Sequence, residues 1–374
     1  MSAHGTFAVV TGGGTSGHVL PALAIADALV EAGHAPSSIH YVGTMRGVET
    51  SLLPATPYPH TFLDVVGLQR SLSRRNLSFV PKLVGAVRAA TRLLRELQPS
   101  VVVNVGGYAS FPATWAARRA GIPYVVVSYD RRPGLVSRLL AKRAAACAVA
   151  FDGSTLPHAE LTGAPVRGEM RRLDRVASRS AARAELGLPD DRFVVGVMCG
   201  SLGAAVVNQA VTSAVEQLDA RFDIAVHHVV GDRFLDRAAP ARDGRAGILY
   251  HVVGYEHRMP QLYAAVDLMV TRAGAGTIAE LATVGVPAIV VPWPDAAENH
   301  QLDNARVLSD RGAAVLLEQH DLTPDRLVTE ITTLIDDRAR LEHIAEAARA
   351  AGEHHRSDRL VRLVERVASQ GGGR

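Results

Sequence analysis

The sequence predicts an α/β protein built from two doubly wound domains, and three observations carry that prediction. Apolar, β-branched runs alternate with helical patterns along the chain, as parallel strands covered on both faces do. The alternation comes as two series, separated by a break near residues 162–166. At 374 residues the chain is too long for one ordinary core, and two domains are the natural division.

The first domain is read as residues 1–163. A strand at 7–10 leads to a helix near 21–32, and one at 39–42 to a short helix near 47–53. A strand at 61–65 leads through a polar loop to a helix near 79–97; another at 101–105 is followed by a helix near 111–120. Strands at 124–127 and 146–150 complete the series. The second domain is read as 164–345. Its arginine-rich start reads as linker plus a helix ending at Leu186-Gly187. Strands follow at 193–198, 224–230, 248–253, 268–270 and 287–291, with helices near 208–218, 259–265, 276–283 and 299–310. Residues 346–374 are expected to be a helix packing back on the first domain, with a frayed end from Gly371. Facing domains with a cleft between them are the expected architecture, and ligands in such sheets bind beyond the carboxyl ends of the strands.

Composition excludes several classes. Hydrophobic residues make up 48% of the chain, which rules out disorder. No run of 18 apolar residues suits a membrane span. The expectation is a protein without a signal peptide in a reducing cytoplasm, since the two cysteines, Cys147 and Cys199, cannot form a disulfide framework. No Cys/His cluster has zinc spacing. The net charge of +3 is uneven: residues 1–166 carry 15 Lys+Arg against 8 Asp+Glu, and the rest 25 against 29. The basic excess lies in Arg70, Arg74, Arg75, Lys82, Arg88, Arg92 and Arg95, interleaved with Leu72, Leu77, Phe79, Val80, Leu83, Val84 and Val87. Such a segment suits an anionic membrane surface or a phosphorylated partner; it equally suits a solvated helix face. Nucleic acid is not expected, because this segment has one aromatic and no known nucleic-acid module.

Four glycine loops each follow a predicted strand: residues 11–18 (T-G-G-G-T-S-G-H), 106–110, 199–204 and 272–277. Glycine allows backbone N–H groups to approach a phosphate, and the helix that follows adds partial positive charge. Gly12, Gly14 and Gly17 satisfy G-x-G-x-x-G, yet the next strand ends in Gly-Thr-Met-Arg without the acidic residue of a dinucleotide site. His18 adds a group that moves protons near neutral pH. Glu280, three residues after Thr277, suits either a ribose diol or a capping box. The stretch 295–301 offers amides and carboxylates to sugar hydroxyls, or is simply a polar helix start. Metal-dependent nucleotide-sugar enzymes usually hold their ion with Asp-x-Asp, which the chain lacks. No metal or other cofactor is expected, and glycine loops and arginines are left to stabilise a departing diphosphate.

Taken together, these motifs resemble the MurG family of membrane-associated, inverting glycosyltransferases, from Val9 to about Ala350. Residues 12–21, 106–112 (G-G-Y-A-S-F-P), 163–167 (G-A-P-V-R), 200–204, 272–280 and His300-Gln301-x-x-Asn304 match the family's ordered motifs. The resemblance implies a GT-B fold and transfer of N-acetylglucosamine from its UDP donor to a lipid-linked, pyrophosphate-bearing acceptor of peptidoglycan synthesis. It implies His18 as general base. Gly13, Gly14, Thr15, Gly17, Gly106, Gly107, Tyr108 and Ser110 would hold the acceptor's phosphates. The donor would meet Asp130, Arg167, Ser201, Gly203, Arg272, Gly274, Ala275, Gly276, Thr277, Glu280, His300, Gln301 and Asn304.

One stretch departs from the family. Its H-E-Q-N reads Val127-Ser128-Tyr129-Asp130 here, and two arginines follow. A carboxylate in place of an amide removes donors and adds charge. This leaves open an acceptor from antibiotic assembly, such as a nucleotide-linked intermediate. A UDP-N-acetylglucosamine 2-epimerase and a non-catalytic UDP-sugar sensor are the remaining alternatives; residues 106–110 speak against the first, and His18 with Glu280 against the second.

Overall fold

A computed structural model describes residues 5–67, 79–200 and 203–371. The chain divides into two compact units, one of Met1–Gly168 with His354–Arg374, the other of Glu169–Glu353.

In the first unit, strands β1 (Ala8–Thr11), β2 (Ile39–Thr44), β3 (His60–Leu63), β4 (Val101–Asn104), β5 (Tyr124–Ser128), β6 (Ala146–Val149) and β7 (Ala159–Leu161) form one sheet. Their order is β3-β2-β1-β4-β5-β6-β7, and every pairing is parallel. Helices α1 (Ser16–Glu31), α2 (Glu49–Leu52), α3 (Phe79–Leu97), α4 (Phe111–Ala120) and α5 (Leu135–Ala141) connect them. The central strands are buried along their whole length, which is why they read as unbroken apolar runs. Val9, Val102 and Val126 pack with Ala86, Ala90 and Leu94 of α3 and with Ala113, Ala116 and Ala117 of α4. Each valine so buried contributes about 1.5–3 kcal/mol of hydrophobic free energy.

The second unit contains β8 (Phe193–Met198), β9 (Ile224–Val229), β10 (Arg242–Asp243), β11 (Leu249–Val253), β12 (Leu268–Thr271), β13 (Ala288–Val290) and β14 (Val315–Leu316). Their order is β10-β11-β9-β8-β12-β13-β14, and only the β10–β11 edge pairing is antiparallel among the described residues. Its helices are α6 (Gly168–Arg171), α7 (Arg175–Leu186), α8 (Ala205–Gln217), α9 (Asp232–Leu235), α10 (Met259–Ala265), α11 (Ala275–Val284), α12 (His300–Ser309), α13 (Pro324–Asp336) and α14 (Arg338–Ala351). The arginine-rich stretch, read as linker plus a helix ending at Leu186-Gly187, forms that helix as α7 and carries a structural anchor. Arg183 is fully buried on α7 and donates to Asp267 (2.7 Å) and to the carbonyls of Ala265, Pro189, Asp190 and Arg192. Every donation lands on an acceptor, which is the condition for tolerating a buried cation.

The last helix, α15 (Arg359–Gly371), belongs to the first unit. Its apolar face, with Leu360, Leu363, Val364 and Val367, packs against α1, β4, β5 and β6. Among the described residues no helix is long and apolar enough to cross a membrane.

In each sheet the winding reverses once at its centre, between β1 and β4 and between β8 and β12. Such a switch point opens a crevice at the carboxyl ends of the strands. The loops following these four strands are the four glycine loops singled out in the sequence.

Candidate functional site

The crevice of the first unit is lined by His18, Gly106, Gly107, Tyr108, Ser128, Tyr129 and Asp130, with Gly134 to Ser137 closing one side, around a cavity of about 220 Å³. Helix α1 starts at Ser16, a turn earlier than Pro21 suggested, so Gly17 and His18 sit in its first turn. Thr15 is the N-cap and supplies no side-chain cap, which leaves the Gly17 amide in the first turn available to an anion, while the His18 N–H bonds the Thr15 carbonyl. Proline is tolerated here near the helix start, but it lacks the N–H that the carbonyl of Gly17, four residues earlier, would otherwise receive. That carbonyl takes the Tyr129 hydroxyl instead, at 2.5 Å.

His18 is held between Tyr129 and Gly107. Its Nδ1 lies 3.4 Å from the Tyr129 hydroxyl, and the two rings meet edge to face. Gly107, at φ +76°, passes so close that a Cβ would fall 2.5 Å from His18 Cδ2 and 2.6 Å from the Gly13 carbonyl. Burial pushes the His18 pKa below 6.5, and the Asp130 and Glu49 carboxylates and the Gly17 backbone offset part of that. The imidazole is therefore neutral near pH 7, as a base must be, and Asp130 favours the imidazolium that forms once it takes a proton.

The loops themselves are pinned by residues that the sequence reading missed. Glu49 is fully buried and accepts the N–H of Gly14 (3.1 Å) and of Thr44 (2.9 Å). A Cβ on Gly13 or Gly47 would strike its carboxylate. Asn104 accepts the Gly106 N–H (3.0 Å) and donates to Thr114 (2.7 Å), fixing the start of the second loop. Tyr108 stacks on Gly14, whose φ of +95° and missing side chain make room for the ring. Ser110 turns back to its own loop and donates to the Gly107 carbonyl at 2.9 Å. The signals available were Gly43 and Gly47 flanking Glu49, and the asparagine ending β4.

In the second unit, α11 begins at Ala275 with Gly274 as N-cap and no side-chain cap, again leaving amides at a helix start. Gly276 and Thr277 lie inside the helix, so Thr277 is not a cap and the capping-box reading of Glu280 lapses. Glu280 accepts the Tyr263 hydroxyl at 3.1 Å. Arg272 braces the loop, donating to the carbonyls of Val291 (3.1 Å) and Pro292 (3.2 Å) and to Gln319 (2.6 Å). Asn304, on α12, donates to the Ala273 carbonyl at 3.3 Å and ties that helix to the same loop. Gln301 accepts the Trp293 N–H at 2.9 Å, and His300 opens α12 beside it. Gly203 adopts φ +64°, and a Cβ there would lie 2.0 Å from the Val230 carbonyl. Ser201 lies outside the described residues, as do Arg70, Leu72, Arg74, Arg75 and Leu77. Arg167 belongs to the end of the first unit.

Residues 8–149 match the glycosyltransferase family 28 N-terminal domain, and residues 194–360 match its C-terminal domain. Over 369 residues the chain is 39% identical to the UDP-N-acetylglucosamine--N-acetylmuramyl-(pentapeptide) pyrophosphoryl-undecaprenol N-acetylglucosamine transferase of Clavibacter sepedonicus, with 98% of each chain covered. The chain belongs to the MurG family. Among solved structures it is similar to MurG of Acinetobacter baumannii, at 27% identity and a TM-score of 0.74, covering 96% of this chain and 99% of that one. The UDP-GlcNAc 2-epimerase of Neisseria meningitidis shares the fold alone, at 13% identity and a TM-score of 0.65, covering 96% and 99%. With two Rossmann-like sheets, this MurG-family chain has the GT-B fold.

Proposed function

We propose that the chain is an inverting glycosyltransferase that moves N-acetylglucosamine from UDP-N-acetylglucosamine to a hydroxyl of a lipid-linked, pyrophosphate-bearing acceptor. The observation that carries this reading is the near full-length match to a relative of that name. The departure at Ser128 to Asp130 raised an antibiotic-assembly acceptor; identity sustained over 98% of both chains does not favour it.

In this reading the acceptor's phosphates lie on the first two glycine loops, at Gly13, Gly14, Thr15 and Gly17 and at Gly106, Gly107, Tyr108 and Ser110; the N–H groups of Gly14, Gly106 and Ser110 are already taken by Glu49, Asn104 and the Gly107 carbonyl, so these three shape the loops. UDP belongs to the second unit. Its diphosphate takes the amides at Gly274 to Thr277 and meets Gly203, and its ribose takes Glu280; the role of Ser201 at the diphosphate rests on the resemblance alone. Arg272 and Asn304 hold that loop in shape, while His300 and Gln301 of the second unit address the sugar; the donor roles of Asp130 and Arg167, which belong to the first unit, rest on the resemblance alone. His18 removes the proton of the acceptor hydroxyl. The hydroxyl oxygen bonds to the anomeric carbon as the bond to UDP breaks, and the electron pair leaves on the β-phosphate. One displacement inverts the centre. Amide donors fixed in advance stabilise the departing charge, so no metal is needed.

A groove of about 760 Å³ between α3 and α4, lined by Leu83, Val84, Val87 and Trp115 and edged by Arg88, Arg92, Arg95 and Arg119, supports peripheral docking on an anionic membrane from the cytoplasmic side. The test supplies the acceptor in anionic vesicles with UDP-N-acetylglucosamine and follows UDP release by mass spectrometry. Release should require acceptor and survive EDTA, and the protein should sediment with the vesicles. Donor interconversion without acceptor would point to an epimerase, and UDP binding without turnover to a sensor.

Glu280→Ala should weaken UDP binding roughly 10- to 100-fold, the range for losing hydrogen bonds to a charged group. Titration calorimetry checks this; an unchanged Kd removes Glu280 from the ribose.

A further inference from the structure

Tyr129 stands where the family resemblance has glutamine, and its hydroxyl touches both the Gly17 carbonyl and the ring of His18. A phenol has one proton to give and lone pairs to receive. The 2.5 Å contact to the Gly17 carbonyl, a pure acceptor, uses that proton. The oxygen therefore faces His18 Nδ1, 3.4 Å away, as an acceptor, and the nitrogen opposite it must carry hydrogen. Pro21 is the origin of the arrangement: without its N–H, the Gly17 carbonyl is left for the phenol to take. Nε2 is then the unprotonated nitrogen. It lies on the side of Gly106 and Gly107, where a Cβ on those residues would come within 3.6 and 3.3 Å of it.

We propose that Tyr129 is a positioning residue that fixes His18 in the Nδ1–H tautomer and presents Nε2 as the base to the crevice between the two glycine loops. This rests on His18 being the base, and it assigns the nitrogen that does the work and the group that selects it. The phenol stays protonated throughout, because burial and the neighbouring Asp130 hold its pKa well above 10. In turnover the acceptor's proton passes to Nε2, and the Nδ1–H bond to Tyr129 strengthens as the ring becomes cationic.

The groups facing the ring are Asp130 and Tyr129 beyond β5, Glu49 on α2 and Tyr108 on the second loop, with Tyr41 of β2 behind Tyr129. All of these but the Tyr129 hydroxyl persist in Tyr129→Phe, as does the Gly17 carbonyl, which also favours the imidazolium. That variant keeps the aromatic ring and removes one of the two acceptors at the ring. Turnover should fall roughly 10- to 100-fold, as when an imidazole loses its orienting partner, with KM for the UDP-sugar unchanged. The imidazolium loses an acceptor, so its pKa drops and the acid limb of the kcat/KM profile moves to lower pH. A merely structural role would lower stability without moving that limb.

The unsubstituted full chain, labelled with ¹⁵N-histidine, gives a readout independent of folding in the variant and of activity. The His18 resonances, assigned by their loss in His18→Ala, should show Nδ1 protonated and Nε2 bare. Protonation on Nε2, or a Tyr129→Phe enzyme with wild-type turnover and an unmoved acid limb, overturns the proposal. Full turnover in His18→Ala would instead overturn the base assignment, whatever tautomer the spectrum shows.

Discussion

His18→Ala is expected to lower turnover at least about 100-fold, the lower end of what a positioned general base contributes, while UDP affinity stays nearly unchanged. The imidazole lines the crevice of the first unit. The nucleotide is assigned to the second, so its loss removes proton transfer and little else. A pKa held below 6.5 by burial keeps the ring basic and neutral at pH 7. In the wild type, kcat/KM should therefore hold through neutrality and fall only on acidification below the ordinary histidine range. In the variant that limb should vanish along with the rate. Steady-state kinetics across pH, with calorimetry for UDP, checks both parts. A rate within a few-fold of wild type removes His18 from the role.

Gly107→Ala should cost nearly as much activity without touching a reactive atom. The added Cβ would fall 2.5 Å from His18 Cδ2 and 2.6 Å from the Gly13 carbonyl, at a φ of +76° that alanine adopts only under strain. The ring can rotate away, but the backbone carbonyl cannot, so the two glycine loops must separate. Misplacing a catalytic group by about 1 Å costs on the order of 100-fold. The double variant with His18→Ala should be little worse than either alone, because both remove one unit of function. Additive losses would mean that Gly107 serves the acceptor separately from the base. Circular dichroism and UDP affinity should confirm that the second unit is intact.

The sequence revealed what depends on local chemistry. Glycines at strand ends, β-branched runs and His18 announce themselves because the backbone demands them wherever the rest of the chain goes. Boundaries misled where a residue has two readings: Pro21 looked like a helix start, yet α1 begins at Ser16 and carries the proline inside. The two-residue edge strands β10 and β14 are too short to show a period. What stayed hidden were groups whose meaning lies in distant partners. Glu49 reaches Gly14 across 35 positions, Tyr129 reaches Gly17 across 112, and Arg183 meets Asp267 across 84. Nothing in the neighbouring letters of a carboxylate, a phenol or a guanidinium states that it is buried, or against what.

The placement of α15 bears on how the molecule is made. Residues 169–353 form one contiguous unit, whereas the sheet of the first unit waits for a helix encoded at 359–371. During synthesis the ribosome releases all the strands of the first sheet long before their covering helix exists, and the whole second unit emerges in between. Domains generally fold as they emerge, so here the middle of the polypeptide has the chance to fold before the beginning can be sealed. Until then, the apolar face that will receive Leu360, Leu363, Val364 and Val367 stays bare to solvent and to chaperones.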